Sequence, residues 1–502
     1  MAMDGATGGT RRGLFLESYG HFIDGAWVGG DSGKTIAVSN PATGAHLSNI
    51  QAGNAVDVDR AVQAAHRAFK TWSRTHPRAR QQVLQEMARR LRARLADFAM
   101  METVDNGKPI SDATMFDIPA TAEVYDYFAS LPLQIHGETT DFPDSMLLVH
   151  REPLGVCAAI VPWNIPLYCT ALKVAPALAA GNTVVVKPAE STGLSILEFF
   201  KECADILPPG VVNIVTGYGP EAGEPLVRHP LVRKVSFTGS KPTARKIMQY
   251  ASQNIIPQTM ELGGKSANIV CADADLDAAA EGVVMSTVFN KGEVCISGSR
   301  TFVHESVMDR FLEKLSAQIG HVRQGDPQDP RTQLGPQASK VQFDKVAGYL
   351  ELGCAEGAHV LAGGAKASIV GFEQGLFIQP TIFSNVRNDM RIAREEIFGP
   401  VTCILGWRDE DEVLALANDT DYGLGGGVWT RDLTRAHRFA REMQTGTVWI
   451  NRYYNFVPGQ PLGGFKQSGF GRENTFETLL HYTQSKAVIV NLTEGPIGLY
   501  QG

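Results

Sequence analysis

No apolar run in the sequence approaches the ~20 residues needed to cross a bilayer, so a membrane-spanning chain is not expected. A basic excess is also missing. Lys and Arg number 46 against 53 Asp and Glu, a formal net charge of -7. Without a cationic footprint, nucleic acid is not an expected partner. The first residues, Met1 to Gly13, are rich in Gly and Thr, carry Arg11 and Arg12, and lack the apolar core of a secretory signal. They read as a flexible tail, residues 1–15, on a cytoplasmic protein. Cysteine pairing signals are absent too. The seven cysteines (Cys157, Cys169, Cys203, Cys271, Cys295, Cys354 and Cys403) include no Cys-x-x-Cys pair, and no Cys/His cluster has zinc spacing. Reduced thiols and no metal site are therefore expected, with most of the thiols acting as small buried hydrophobes. The Gly-x-Gly-x-x-Gly fingerprint is also missing, so no single loop identifies a dinucleotide site.

What is present is a chain of 502 residues, too long for one hydrophobic core and ordinary in its 44% hydrophobic and 20% charged residues. Two or three domains are expected. His21 to Val28 reads as a hairpin turning at Asp24-Gly25. Asp57 to Trp72 and Arg78 to Asp105 read as amphipathic helices, the second stopping at Asn106-Gly107. Ser111 to Ser130 reads as helical apart from Pro119. Leu131 to Val149 then changes character, to two short strands around Gly137 and Phe142-Pro143. Such an arm is suited to pairing with another segment.

From Val156 strands alternate with helices. Val156 to Val161, Thr183 to Lys187, Val211 to Val215, Lys234 to Phe237 and Gln258 to Glu261 read as strands. Leu167 to Ala180, Ser191 to Ile206, Gly223 to His229 and Pro242 to Ser252 read as the helices between them. This βαβ series predicts an α/β fold with a doubly wound parallel sheet. A second α/β series starts near residue 262.

Ligands of open parallel sheets bind at the carboxyl ends of strands. Four polar or glycine-rich segments follow strands here: Pro162-Trp163-Asn164, Lys187-Pro-Ala-Glu190, Gly217-Tyr-Gly219 with Gly223, and Gly239-Ser240 running to Ala244. Each alone reads as a turn, but four in one sheet read as a nucleotide platform. Glu190 suits a ribose 2′-hydroxyl and would repel a 2′-phosphate, which favours NAD over NADP. Two further segments carry chemistry. Glu261-Leu262-Gly-Gly-Lys-Ser-Ala-Asn268 supplies a carboxylate beside two glycines. Phe289-Asn-Lys-Gly-Glu-Val-Cys295-Ile296-Ser-Gly-Ser-Arg300 supplies a thiol. Together they suggest a covalent thio-intermediate cleaved by base-activated water.

These segments, with Phe237-Thr-Gly-Ser240, Glu395-Glu-Ile-Phe-Gly-Pro400 and Gly464-Phe-Lys-Gln-Ser-Gly469, resemble the NAD(P)-dependent aldehyde dehydrogenase superfamily. The resemblance covers nearly the whole chain after residue 20. The Gly-Glu-Val-Cys form and the ending Gly495-Pro-Ile-Gly-Leu-Tyr500 are similar to the bacterial acetaldehyde and short-chain branch. The resemblance implies a Rossmann-type NAD-binding domain (16–130 and 151–261), a catalytic domain (262–477), and an oligomerisation arm and tail (131–150 and 478–502) of a homodimer or homotetramer. It implies Cys295 as nucleophile, Glu261 as the base that activates water, Asn164 as oxyanion donor, and Lys173 with Glu473 as a proton-relay pair. It implies cofactor contacts from Pro162, Trp163, Lys187, Glu190, Gly219, Gly223, Gly239, Ser240, Leu262, Gln342, Glu396 and Phe398. Cys169, Leu172, Val294, Ile296, Tyr453, Phe456 and Leu462 match pocket positions, giving an apolar and partly aromatic tunnel for an uncharged aldehyde. Arg452 nearby leaves room for a carboxylated one.

Two positions depart from the family pattern. Ala244 replaces a common glycine and is expected to crowd the approach to a pyrophosphate slightly. Val294 and Ile296 flank the nucleophile where relatives vary. Three other activities compete with hydrolytic aldehyde oxidation: transfer of the thioester to coenzyme A, a nucleotide-binding scaffold without turnover, and a cysteine hydrolase. The glutamate argues against the first, the set Asn164, Glu261 and Cys295 against the second, and the lack of a Cys–His pairing against the third.

Overall fold

The computed structural model describes residues 13–495 and residue 499. Most of the predicted flexible tail and of the 495–500 ending lies outside the described residues.

The first sheet has eight strands. Their order is Gly469–Phe470, Gln258–Glu261, Val232–Thr238, Val156–Ile160, Thr183–Lys187, Val212–Ile214, His21–Ile23 and Ala26–Val28. The five strands from Gln258–Glu261 to Val212–Ile214 run parallel. Their apolar, β-branched sequences suit burial on both faces. Helices such as the 15-residue Pro166–Ala180, buried along its whole length, cover them. Register is what positions the site. Ile160 pairs with Lys187 and with Phe237, and Thr238 pairs with Glu261, so the carboxyl ends of four strands form one row. The edge strand Gly469–Phe470 comes from late in the chain and pairs antiparallel, with Gly469 opposite Glu261.

A second sheet of seven strands follows, in the order His359–Ala362, Thr381–Ser384, Val401–Trp407, Arg300–His304, Ala267–Val270, Gly425–Trp429 and Thr447–Ile450. All its pairings are parallel except the first. The segment carrying Cys295 links helix Leu276–Val288 to strand Arg300–His304. The predicted arm and tail form a separate three-stranded sheet from Glu138–Asp141, Ser145–Pro153 and Thr483–Asn491, the last two joined in register from Thr483 opposite Pro153 to Asn491 opposite Ser145.

Three expected helices differ in form. The one expected over 78–105 breaks at Arg94, whose φ of -120° and ψ of 30° separate Pro77–Ala93 from Leu95–Asn106. Pro119 does not interrupt its helix; a π-turn over Ala113–Asp117 leads straight into Ile118–Ala129. Proline is tolerated there because it sits in the first turn of the resumed α-helix. The helix expected over 223–229 starts earlier, as a π-turn at Gly219–Gly223 followed by Glu224–Arg228. Among the described residues, no helix is long and apolar enough to cross a membrane.

Candidate active site

A cavity of about 240 Å³ lies where the carboxyl ends of the first sheet meet the Cys295 segment. Its lining includes Pro162, Trp163, Gly239, Ser240, Leu262, Gln342, Lys345, Glu396 and Phe398, of which Phe398 contacts both Trp163 and Gln342. It also includes Phe116, Tyr168, Cys169, Leu172, Phe289, Val294, Ile296, Phe456 and Leu462, with the rings of Tyr168, Phe289 and Phe456 grouped around Phe116. Cys295, Glu261, Asn164 and Glu473 line the same cavity, so one chamber joins them to both groups.

Cys295 is the one half-buried thiol among the seven. Burial raises its pKa, and the acidic groups Cys169, Glu396 and Glu261 add to the effect. Both effects favour the neutral thiol over the thiolate, and a base or a nearby positive charge would oppose them. The two glycines after Leu262 shape its surroundings. A Cβ on Gly264 would fall 2.5 Å from the Cys295 carbonyl oxygen, and one on Gly263 would fall 2.1 Å from Glu396 Oε2. Only glycines let this loop lie against both. The Gly264 N–H donates to Glu396 Oε1 at 3.1 Å, holding that carboxylate at the chamber wall.

Glu261 ends its strand with Oε1 buried and without a hydrogen-bond partner among the described residues. Burial raises its pKa well above the usual carboxylate range. The Glu473 charge pushes it further in the same direction, while Lys173 and Arg472 pull it back. Lys173 is fully buried and donates to Glu473 Oε1 at 2.7 Å and to Thr238 Oγ1 at 2.6 Å; Glu473 also accepts from Ser236 Oγ at 3.2 Å. Asn164 follows the first central strand, and its Nδ2 donates to the Glu293 carbonyl oxygen at 2.9 Å, two residues before Cys295.

Lys187, Glu190, Gly219 and Gly223 stand outside this chamber, farther along the row of strand ends. The Lys187 amine donates to the Pro188 carbonyl oxygen at 3.1 Å and lies 3.5 Å from Glu190 Oε2. A Cβ on Gly223 would sit 4.0 Å from Lys187 Cδ, so the π-turn from Gly219 to Gly223 packs beside that lysine. Trp163 and Phe398 meet edge-on with ring centroids 5.3 Å apart.

Three expectations are corrected. Tyr453 is not on the tunnel wall. Its ring is buried among Trp449 and Tyr454, and its hydroxyl donates to the Ile296 carbonyl oxygen at 2.9 Å, bracing the Cys295 segment from behind. Arg452 is exposed and does not line the cavity. The Ala244 methyl packs in the core cluster containing Phe237, Ile247 and Met260, so it does not crowd the cleft.

Sequence reasoning missed Phe116, Tyr168, Phe289 and Lys345. Tyr168 was legible: Ile165, Tyr168, Cys169 and Leu172 recur at i, i+3, i+4 and i+7, one helix face, and all line the cavity. Lys345 lies three residues past Gln342 on helix Lys340–Ala355, so it shares that face. Phe116 had no such signal, because the π-turn shifts its direction.

A family model described as the Aldehyde dehydrogenase family matches residues 27–488. An aldehyde dehydrogenase of Rhodospirillum rubrum is 45% identical over 494 residues, covering 97% of each chain. Acetaldehyde dehydrogenase 2 of Cupriavidus necator is 44% identical over 494 residues, again covering 97% of each. The structure of an aldehyde dehydrogenase from Bacillus cereus in complex with NAD+ superposes with a TM-score of 0.94 at 39% identity, covering 97% of this chain and 100% of that one. With a match of this extent in sequence and in structure, the chain belongs to the aldehyde dehydrogenase family.

Proposed function

We propose that this protein oxidises uncharged, apolar aldehydes to carboxylic acids with NAD, through a thioester on Cys295 that Glu261 helps to hydrolyse. The observation that carries this reading is the shared chamber: thiol, carboxylate and oxyanion amide face one cavity, with a groove around Trp163 and Phe398 and an aromatic tunnel around Phe116.

Cys295 Sγ bonds to the carbonyl carbon, and its proton leaves to a basic group. The Asn164 amide and the Cys295 backbone N–H stabilise the oxyanion that results. NAD, when bound, supplies the hydride acceptor that turns this thiohemiacetal into a thioester. Glu261 then takes a proton from water as the water oxygen attacks the thioester carbon, the C–S bond breaks, and the acid leaves. Burial and the Glu473 charge make Glu261 a stronger base than an exposed carboxylate. Lys173 and Glu473 sit behind it as the proton-relay pair.

The residues of the groove suit NAD. The nearly buried Lys187 makes one hydrogen bond, to Pro188, and Glu190 is half exposed, so the pair keeps donor and acceptor capacity for ribose hydroxyls. Glu396 suits the second ribose and Phe398 the nicotinamide side, with Gly239, Ser240, Leu262 and Gln342 between them. The B. cereus neighbour, solved with NAD+, supports this cofactor. For the substrate end, Lys345 is the one Lys or Arg among the lining residues, and it stands at the groove end with Glu396. The three-stranded sheet, with Ile489 and Leu492 exposed, suits pairing with another copy in a homodimer or homotetramer.

The test is formation of reduced nicotinamide by the purified protein. NAD or NADP is supplied with and without coenzyme A, across aliphatic, aromatic and carboxylated aldehydes. Turnover with NAD alone and release of free acid is expected. Turnover only with coenzyme A, yielding acyl-CoA, would overturn the role of Glu261.

A further inference from the structure

The chain reverses direction just before Cys295 through three consecutive left-handed residues: Asn290 (φ 45°), Lys291 (φ 64°) and Gly292 (φ 70°). Glycine is required at the third, where a Cβ would fall 2.2 Å from the Gly399 carbonyl carbon. The first two are strained in this region, so neighbouring bonds must hold them there.

The Asn290 N–H donates to Asp112 Oδ2 at 2.9 Å, and the Lys291 side chain supplies further bonds. That side chain is fully buried, and its ammonium group makes two hydrogen bonds and one ion pair. The amine donates to Asn106, at its carbonyl oxygen (2.8 Å) and at its Oδ1, and lies 2.8 Å from Glu293 Oε2 as an ion pair. A buried ion pair is by itself ordinary support for a loop. The position of its two partners gives it a further consequence. Asn106 is the last residue of helix Leu95–Asn106, and its Nδ2 donates to the Trp163 carbonyl oxygen at 2.8 Å, on the strand-end loop that carries Asn164. Glu293 offers its carbonyl oxygen to Asn164 Nδ2 at 2.9 Å and to Asn290 Nδ2 at 3.2 Å, and its own Oε1 accepts from the Ala338 N–H at 3.0 Å. Asn290 Nδ2 also reaches the Asn164 carbonyl oxygen at 3.1 Å. The Lys291 amine thus adds, through Asn106 and Glu293, to the direct bonds from Asn164 and Asn290 that join the segment bearing the Cys295 N–H to the loop bearing the Asn164 amide.

We propose that Lys291 is a positioning residue that, through Asn106 and Glu293, sets the spacing between the two oxyanion donors, the Asn164 side-chain amide and the Cys295 backbone N–H. The inference rests on the nucleophile and oxyanion roles given under Proposed function. Lys291 does not line the cavity; it acts on the acylation step through Asn164.

A double-mutant cycle on the full-length enzyme tests this, read as the pre-steady-state rate of reduced-nicotinamide formation per site. Burst amplitude counts competent sites, so a loss of folded protein lowers amplitude while the rate per site reports positioning. Lys291→Met is expected to slow the burst about tenfold or more, and Asn164→Ala about 10²- to 10³-fold. In the Asn164→Ala background, Lys291→Met should change the rate by about twofold or less, because the donor it positions is gone. Equal slowing in both backgrounds, or a normal burst rate in Lys291→Met alone, overturns the proposal. If Lys291→Met does not fold, Asn106→Asp carries the same cycle. It keeps an oxygen acceptor for Lys291 but puts a carboxylate oxygen where the amide donated to Trp163, so a normal burst rate or additivity there overturns the relay. Failure of the underlying chemistry looks different, since Cys295→Ala would then retain turnover.

Discussion

Lys173 and Glu473, 300 residues apart in sequence, meet at 2.7 Å behind Glu261, both buried. Their charges act on Glu261 in opposite directions: Glu473 raises its pKa and Lys173 lowers it. The proposed hydrolysis uses ionised Glu261, so its rate should rise as pH passes upward through the Glu261 pKa. Lys173→Met should therefore move the acid limb of kcat to higher pH, and Glu473→Gln to lower pH. The pH profile of each variant under deacylation-limited conditions measures this. Shifts in the same direction would show that neither charge reaches the base.

Substitution at the two reactive groups separates the steps. Cys295→Ala should abolish aldehyde oxidation while nucleotide binding, followed by fluorescence or calorimetry, persists. Glu261→Gln should still form the thioester, giving one equivalent of reduced nicotinamide per site and then turnover slowed about 10²- to 10⁴-fold. A wild-type steady-state rate in Glu261→Gln would mean that another group, Glu473 being nearest in role, serves as base.

The strands and the reactive segments were legible because each rests on local chemistry. Val184, Val185 and Val186 can be nothing but a buried strand, and Glu-Leu-Gly-Gly needs glycine for reasons of contact with Glu396 and Cys295. What was hidden depends on backbone shifts or long-range partners. The break at Arg94 falls in a sequence of good helix formers, and no propensity marks it. The π-turn that presents Phe116 comes from inserting one residue per turn, which erases helical periodicity. Asn106 reads as a helix stop, and its links to Lys291 and Trp163 exist only when three distant segments close on one another. Tyr453 was misplaced for a related reason. An aromatic side chain at a pocket position can fill the tunnel or brace its back, and the bond to the Ile296 carbonyl oxygen decides for the second.

Cofactor choice should respond to Glu190. A carboxylate near the ribose 2′ position repels a 2′-phosphate by about 1 kcal/mol even in a water-like dielectric, and by more when partly buried. Glu190→Gln should therefore raise kcat/KM for NADP relative to NAD about fivefold or more, with little loss for NAD. Lys187→Met should weaken both nucleotides, since its amine serves either ribose. An unchanged NADP:NAD ratio in Glu190→Gln would place the discrimination at another residue of the groove.

Substrate charge should be set by the tunnel wall. Its lining at the substrate end is Phe116, Tyr168, Leu172, Phe289, Phe456 and Leu462. Phe116 sits 5.3 to 5.6 Å from the rings of Tyr168, Phe289 and Phe456, closing the wall with aromatic contacts. A carboxylate entering such a wall loses hydration without gaining a partner. Carboxylated aldehydes should then show kcat/KM values at least about tenfold below uncharged ones of equal length, equivalent to about 1.4 kcal/mol. Arg452→Ala should leave that ratio unchanged, because the exposed guanidinium lies off the cavity. Leu172→Arg, which puts a cation on the wall itself, should move the ratio toward the carboxylated substrate. If Arg452→Ala instead lowered activity on carboxylated aldehydes alone, the exposed arginine would be steering anions into the tunnel, and the preference would lie in the approach to the wall.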